Sequence, residues 1–128
     1  MRKLVIGSLV AVALAVTGLQ AVAGPWEDGM AAYNRGDYVP AMQVFHGMAR
    51  AGIAKAQGML GAMYRRGQGV GKSSAHAFMW LSLAASRGDA KAKAELETVS
   101  ATMTPEDMWR ATQMMRACEA SDYRNCEY

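Results

Sequence analysis

The stretches Ala41-Met42-Gln43-Val44-Phe45-His46-Gly47-Met48-Ala49-Arg50-Ala51-Gly52 and Ala77-Phe78-Met79-Trp80-Leu81-Ser82-Leu83-Ala84-Ala85-Ser86-Arg87-Gly88 share one pattern at an offset of thirty-six residues. Ala41, Phe45, Ala49, Gly52 and Ala56 return as Ala77, Leu81, Ala85, Gly88 and Ala92. Within the first copy, Ala41, Val44, Phe45, Met48 and Ala49 fall at i, i+3, i+4, i+7 and i+8, and Ala77, Trp80, Leu81, Ala84 and Ala85 do the same. That spacing puts each set on one stripe of an α-helix. A periodicity of this length marks a supersecondary unit that cannot bury its apolar face alone, so neighbouring units stack.

Working outward, each of these helices has a predecessor. Tyr33 and Gly36 correspond to Tyr64 and Gly67 at an offset of thirty-one, so the second copy carries five additional residues. They fall in Gly67-Gln68-Gly69-Val70-Gly71, where glycines end one helix and redirect the chain. A phosphate-binding loop is excluded there, since no strand precedes it and no Gly-Lys-Ser/Thr ending follows in register.

The start and stop signals predict six helices over residues 26–35, 38–51, 54–66, 74–87, 90–100 and 105–119, arranged as three antiparallel pairs, with no strand. Asp37 and Ser73 are the expected N-caps, and Gly36, Gly52, Gly67 and Gly88 the expected residues just past helix ends. Pro40 fits a first turn, where its missing N–H is tolerated. Thr104-Pro105-Glu106-Asp107 opens the last helix with a cap, a proline and two acids that complement the helix dipole. Its predicted apolar stripe is Met108, Ala111, Met115 and Cys118.

The N-terminus reads as an export leader. Met1-Arg2-Lys3 precedes an uncharged run from Leu4 to Leu19, and Ala21-Val22-Ala23 forms a small-residue cleavage site. The run is too short and too diluted by Gly7, Ser8, Thr17 and Gly18 for a spanning helix of ~20 apolar residues. The expected division is a leader over 1–23 and one helical domain over 24–128, with repeat one over 26–53, repeat two over 54–89, and a partial third repeat and cap over 90–128. Periplasmic or secreted localisation follows, without stable membrane insertion once the leader is removed.

Losing Arg2 and Lys3 lowers Lys plus Arg from 14 to 12 against 11 Asp plus Glu, a net charge near +1. A nearly neutral domain without a Lys/Arg run lacks the electrostatic footprint of a nucleic-acid binder. Cys118 and Cys126, in an exported chain, are expected to form a disulfide closing nine residues. The chain-entropy model values such a loop at roughly 2.5 kcal/mol. Their C-x7-C spacing matches neither a redox C-x-x-C nor a zinc pattern.

The second unit, Ala56-Gln57-Gly58-Met59-Leu60-Gly61-Ala62-Met63-Tyr64-Arg65-Arg66-Gly67-Gln68-Gly69-Val70 followed by Ala77, Trp80, Ala84, Ala85 and Gly88, resembles the Sel-one-like repeat family of the tetratricopeptide-repeat-like superfamily. The first unit lacks the five-residue turn and looks more like an ordinary tetratricopeptide repeat. The third keeps Ala92 and Leu96 but has Glu97 and Ser100 where the pattern has glycine and tyrosine, which suits a cap. The resemblance implies a short right-handed α-α superhelix of helical hairpins with a C-terminal capping helix. It also implies an adaptor role, first helices lining a concave face that grips a protein or peptide. Transferred here, that layout puts Arg35, Lys55, Arg65, Arg66 and Lys91 on or near the concave side and points to an acidic partner segment; ordinary solvated charges are the competing reading.

Other chemistries find less support. Ten methionines beyond Met1 are spread over every element without a Met-x-x-Met or Met/His cluster, so core filling is expected ahead of a Met-based metal carrier. His46 and His76 occupy non-equivalent repeat positions and read as surface side chains. Glu27 and Asp28 are adjacent on a helix and point apart, which suits charge at a helix N-terminus better than acid/base work. No nucleophile, base and orienting group come together, so no enzymatic role and no cofactor are expected, a small periplasmic hydrolase being the alternative from another class. Two and a half repeats leave an end exposed for self-association. Stacked helices with Trp80 at their centre predict that Trp80→Ala lowers stability by ~3 to 5 kcal/mol, measured by denaturant unfolding of the exported chain.

Overall fold

The structure, a computed structural model, describes residues 24–126. The leader assigned to residues 1–23 lies outside them. Six helices run α1 (Pro25–Asn34), α2 (Tyr38–Arg50), α3 (Ala54–Arg66), α4 (Ser74–Ser86), α5 (Ala90–Ser100) and α6 (Pro105–Ala120), and no strand occurs among the described residues. None of these helices is long and apolar enough to cross a membrane.

The glycine stops work by one repeated device. Gly36, Gly52, Gly67 and Gly88 all have positive φ, between 69° and 93°. After α1, the N–H of Gly36 donates to the Tyr33 carbonyl at 3.0 Å and that of Asp37 to the Ala32 carbonyl at 2.9 Å. The same pair of bonds closes α2 through Gly52 and Ile53 and α4 through Gly88 and Asp89. These are Schellman closures, which satisfy carbonyls that a helix end would otherwise orphan. The α6 terminus uses the same bonds without glycine: Asp122 and Tyr123 take φ of 55° and 62°, and Tyr123 N donates to the Cys118 carbonyl at 2.9 Å. No sequence signal marks that end, because the left-handed region is costly for a tyrosine.

The starts are less uniform. Ser73 caps α4 through His76 N, and Thr104 and Asp107 form a reciprocal capping box on α6. Asp37 occupies the N-cap position of α2 but makes no capping bond. Its carboxylate instead accepts from Arg35 Nε at 3.2 Å, a solvent-exposed pair worth little.

Packing runs α1 on α2, α2 on α3, α3 on α4, and α4 on both α5 and α6, with a lighter contact between α3 and α5. Of the first stripe, Ala41, Phe45 and Ala49 are fully buried while Val44 and Met48 are half-buried. The second helix of the next pair differs. Beyond Ala77, Trp80, Leu81 and Ala84, α4 also buries Ala75, Met79 and Leu83, because helices cover it on three sides. α6 docks against α4 and is not among the close partners of α5, so the expected third antiparallel pair is replaced by a helix folded back over the centre. Its buried residues are accordingly Ala111, Met114 and Cys118; Met108 and Met115, expected on the stripe, are only half-buried.

Each of the first two pairs is closed by an apolar side chain seated on a glycine. A Cβ added at Gly29 would stand 2.8 Å from Phe45 Cε1, and one at Gly61 would stand 2.5 Å from Leu81 Cγ and 3.2 Å from the Ala77 carbonyl oxygen. Phe45 and Leu81 are the repeat-equivalent residues identified from the thirty-six-residue offset. The five-residue insertion also has a contact to make: Gly69 lies so close to Tyr38 that a Cβ would come within 2.7 Å of its carbonyl oxygen. In this way the second unit's turn braces the start of α2.

The C-terminal segment is clasped at two points. Cys118 and Cys126 form a disulfide, with Cα atoms 4.2 Å apart and both residues buried. Arg87, one residue before Gly88, donates to the Gly52 carbonyl at 2.9 Å, hydrogen-bonds the Tyr123 hydroxyl, and has its guanidinium 4.6 Å from the Tyr123 ring centre. Arg50 donates to the Arg124 carbonyl at 3.1 Å. The ends of α2 and α4 and the disulfide loop are thus joined at one corner.

Two measurements check this packing. Gly61→Ala should lower stability by roughly 1 to 2 kcal/mol, overpacking against Leu81 outweighing the gain in helix propensity. Gly47→Ala, whose Cβ would meet nothing within 4 Å, should raise it by up to about 1 kcal/mol. Equal signs for the two in denaturant unfolding would contradict the close approach of α3 and α4. Replacing Cys118 and Cys126 together by alanine should cost about 2 to 3 kcal/mol while the helical circular dichroism persists.

Candidate functional site

A groove of about 330 Å³ opens between α1, α3 and α5. Its construction follows from helix register. Counting from the first residue of each helix, Trp26, Lys55 and Lys91 each stand second, and Met30, Met59 and Glu95 each stand sixth. Tyr33 and Ala62 stand ninth in α1 and α3. All eight line the groove. Positions separated by four and seven residues share one helical face, so the helices that come first in each unit turn the same face to the same space.

The wall contributed by α1 is aromatic and thioether. Trp26 and Tyr33 are half-buried, and Trp26 packs against Phe45 with ring centres 5.2 Å apart. Lys55 Nζ lies 4.3 Å from the centre of the Trp26 ring, within cation–π range. At the other end, Arg66 Nη1 donates to the Tyr33 hydroxyl at 3.1 Å, and that hydroxyl donates to Gln68 Oε1 at 3.0 Å. The glycine-rich turn therefore also supplies an acceptor that orients a groove residue.

The two lining carboxylates are engaged within the protein. Asp89 Oδ1 accepts from Ala92 N at 2.9 Å as the N-cap of α5. Glu95 faces Arg65 at 3.6 Å, an ion pair too long for a hydrogen bond, with Arg65 and Glu95 side chains 34% and 15% exposed. Lys91 is exposed and makes no ion pair with another described residue. Lys55, Lys91 and Arg66 thus line the groove together with the Asp89 carboxylate, whose charge the capping bond leaves in place, so cations outnumber free carboxylates there.

The five cations named from the sequence separate accordingly. Lys55, Arg66 and Lys91 line the groove. Arg65 stands behind the lining, bound to Glu95 between α3 and α5, and Arg35 lies outside, paired with Asp37 at the end of α1. Sequence reasoning assigned no site role to Trp26, Tyr33, Asp89 or Glu95 and took Met30 and Met59 as core filling. The signal that finds Trp26, Met30, Met59 and Glu95 is register, the second and sixth positions of successive first helices; Tyr33 stands ninth and Asp89 is the cap just before α5.

The histidines are not surface side chains. His76 is half-buried, stacks on Tyr64 with ring centres 4.7 Å apart and contacts Ser73 Oγ at 2.8 Å; His46 meets the edge of Trp80 at 6.1 Å. Met63, Met79 and Met114 are buried, in line with core filling. Among the described residues no group of three or more His, Cys, Asp or Glu side chains is placed to hold a metal ion. No family model, curated protein or solved structure matches this chain.

Proposed function

We propose that this chain is an exported adaptor or regulator of the Sel-like repeat type that holds a segment of a protein partner in the α1/α3/α5 groove. In this reading the six helices form a short right-handed superhelix of hairpins, with α6 as the cap and α5 completing a partial third unit. The observation that carries it is the register of the groove. Equivalent positions of α1, α3 and α5 line one groove, and in a stacked repeat each added unit extends such a surface.

The lining suits macromolecular recognition. Half-buried aromatic side chains supply contact area at low conformational cost, methionines adapt to the partner's shape, and cations at the rim set orientation and on-rate. Export is supported by the charged start, short apolar run and small-residue site within residues 1–23, and a buried disulfide suits an oxidising compartment.

The test is capture from the cell envelope with the full chain expressed behind its own leader and tagged at its C-terminus. A defined envelope protein should be retained by the wild-type chain and by Arg35→Glu, and lost, at least tenfold, with Lys91→Glu combined with Arg66→Glu. Retention by the double variant, with unchanged circular dichroism, would contradict the groove as the binding surface.

A further inference from the structure

Arg66, the last residue of α3, meets the groove through a hydrogen-bond chain that crosses from one repeat unit to the next. We infer that Tyr33 and Gln68 are positioning residues for Arg66, a step that rests on the groove being the binding surface. They hold one nitrogen of its guanidinium, so that the opposite edge, Nε and Nη2, is presented as a fixed pair of donors for a carboxylate of the partner.

The direction of the chain follows from what each group can give. A guanidinium has five N–H donors and no acceptor, and a phenol has a single hydrogen. Arg66 Nη1, 3.1 Å from the Tyr33 hydroxyl, therefore donates to it, which leaves the phenolic hydrogen for Gln68 Oε1 at 3.0 Å. A hydroxyl that donates is a stronger acceptor, so the bond to Gln68 strengthens the one from Arg66. Nη1 lies on the Cδ side of the planar group. Nε and Nη2 form the other edge, where two parallel N–H bonds match the two oxygens of a carboxylate.

Gln68 can do this because the glycine-rich turn fixes it. Its own N–H donates to the Met63 carbonyl at 2.9 Å. The next residue, Gly69, has φ of 74° and sits against Tyr38, where an added Cβ would stand 2.7 Å from the carbonyl oxygen. Tyr38 in turn packs on Tyr33, with ring centres 5.3 Å apart. Tyr33 and Gln68 are half-buried, whereas Arg66 is exposed. An exposed arginine ordinarily samples many rotamers, and holding it in advance removes that ordering cost from binding. The first unit passes from α1 to α2 without such a turn, so the chain exists only where the five inserted residues meet the neighbouring unit.

The surrounding charges leave the free edge to a partner. Arg66 makes no ion pair with another described residue. Glu95 faces Arg65 at 3.6 Å. Asp89, the other carboxylate of the lining, lies beside Gly58, where an added Cβ would stand 3.2 Å from its Oδ2. Gly58 is eight residues before Arg66, about 12 Å along α3. Lys72, packed against Gly67, adds positive charge at the Arg66 end.

The test reads Arg66 directly in the 15N-labelled exported chain. The order parameter of its Nε–H should exceed about 0.6 and fall below that value in Tyr33→Phe, with Gln68→Met, which keeps the length and removes the amide, lying between. Sodium acetate, titrated against matched sodium chloride, should shift the Arg66 Nε–H resonance at least threefold farther than that of the exposed Arg110, and Tyr33→Phe should abolish the excess. Arg66 mobile in the wild-type chain, order unchanged in Tyr33→Phe, or equal acetate shifts at Arg66 and Arg110 would overturn the inference. Envelope capture separates this result from the groove reading. If the Arg66 signals fail while capture still depends on Lys91 and Arg66, the groove reading stands and the positioning falls. If they hold while capture is indifferent to both cations, Arg66 is held as described and the groove is not the binding surface.

Discussion

The structure depends on the enclosure of α4. A helix that buries Ala75, Ala77, Met79, Trp80, Leu81, Leu83 and Ala84 has apolar side chains nearly all round, and such a helix is stable only when others cover every face. α3, α5 and α6 do so. In one of these contacts Leu81 is seated on Gly61, where an added Cβ would stand 2.5 Å from Leu81 Cγ, so the absence of a side chain lets the two helices approach closely. Trp80, fully buried beside it, supplies the largest single side chain of the core while its indole Nε1 has no hydrogen-bond partner. Its apolar burial outweighs the cost of that orphaned donor.

The groove is tied to this enclosure through α3. One face of α3 meets α4 through Gly61, against Leu81, and Tyr64, stacked on His76, and the adjoining face offers Lys55, Met59, Ala62 and Arg66 to the groove. Rotating α3 to relieve pressure at Gly61 would therefore displace the groove lining as well. The C-terminal clasp acts on the same frame from the other side. Arg87 joins the turn after α2 to the disulfide loop, and the Cys118–Cys126 bridge keeps Tyr123 where that arginine meets it. Tyr123 holds a left-handed backbone, a conformation that persists when surroundings over-determine it.

Much of this was legible in the sequence because it depends on local rules. The six helices start and stop within one or two residues of their expected bounds, since glycine at positive φ, a serine or threonine cap and a proline in a first turn act within a few residues of themselves. The cysteine pairing was legible for the same reason. What depends on which element covers which was not. α6 carries methionines at 108, 114 and 115, and only its docking on α4 decides that Met114 is buried. Asp37 has the chemistry of a cap, but Arg35 competes for its carboxylate. The groove was half legible: Lys55, Arg66 and Lys91 came with the family resemblance, whereas Trp26 and Tyr33 became site residues only once α1 was placed in register with α3 and α5. Arg65 and Arg35 match the same compositional pattern and are taken up by Glu95 and Asp37.

The central claim is that α4 is held at the middle of the domain by a side chain resting on a glycine. Proton–proton distances from nuclear Overhauser effects on the exported chain address it directly. The account requires strong cross-peaks between the Leu81 methyl groups and the Gly61 α-protons, together with slow amide exchange along α4. Leu81 methyls that contact only solvent or their own helix, with α4 amides exchanging as fast as those at the helix ends, would contradict it.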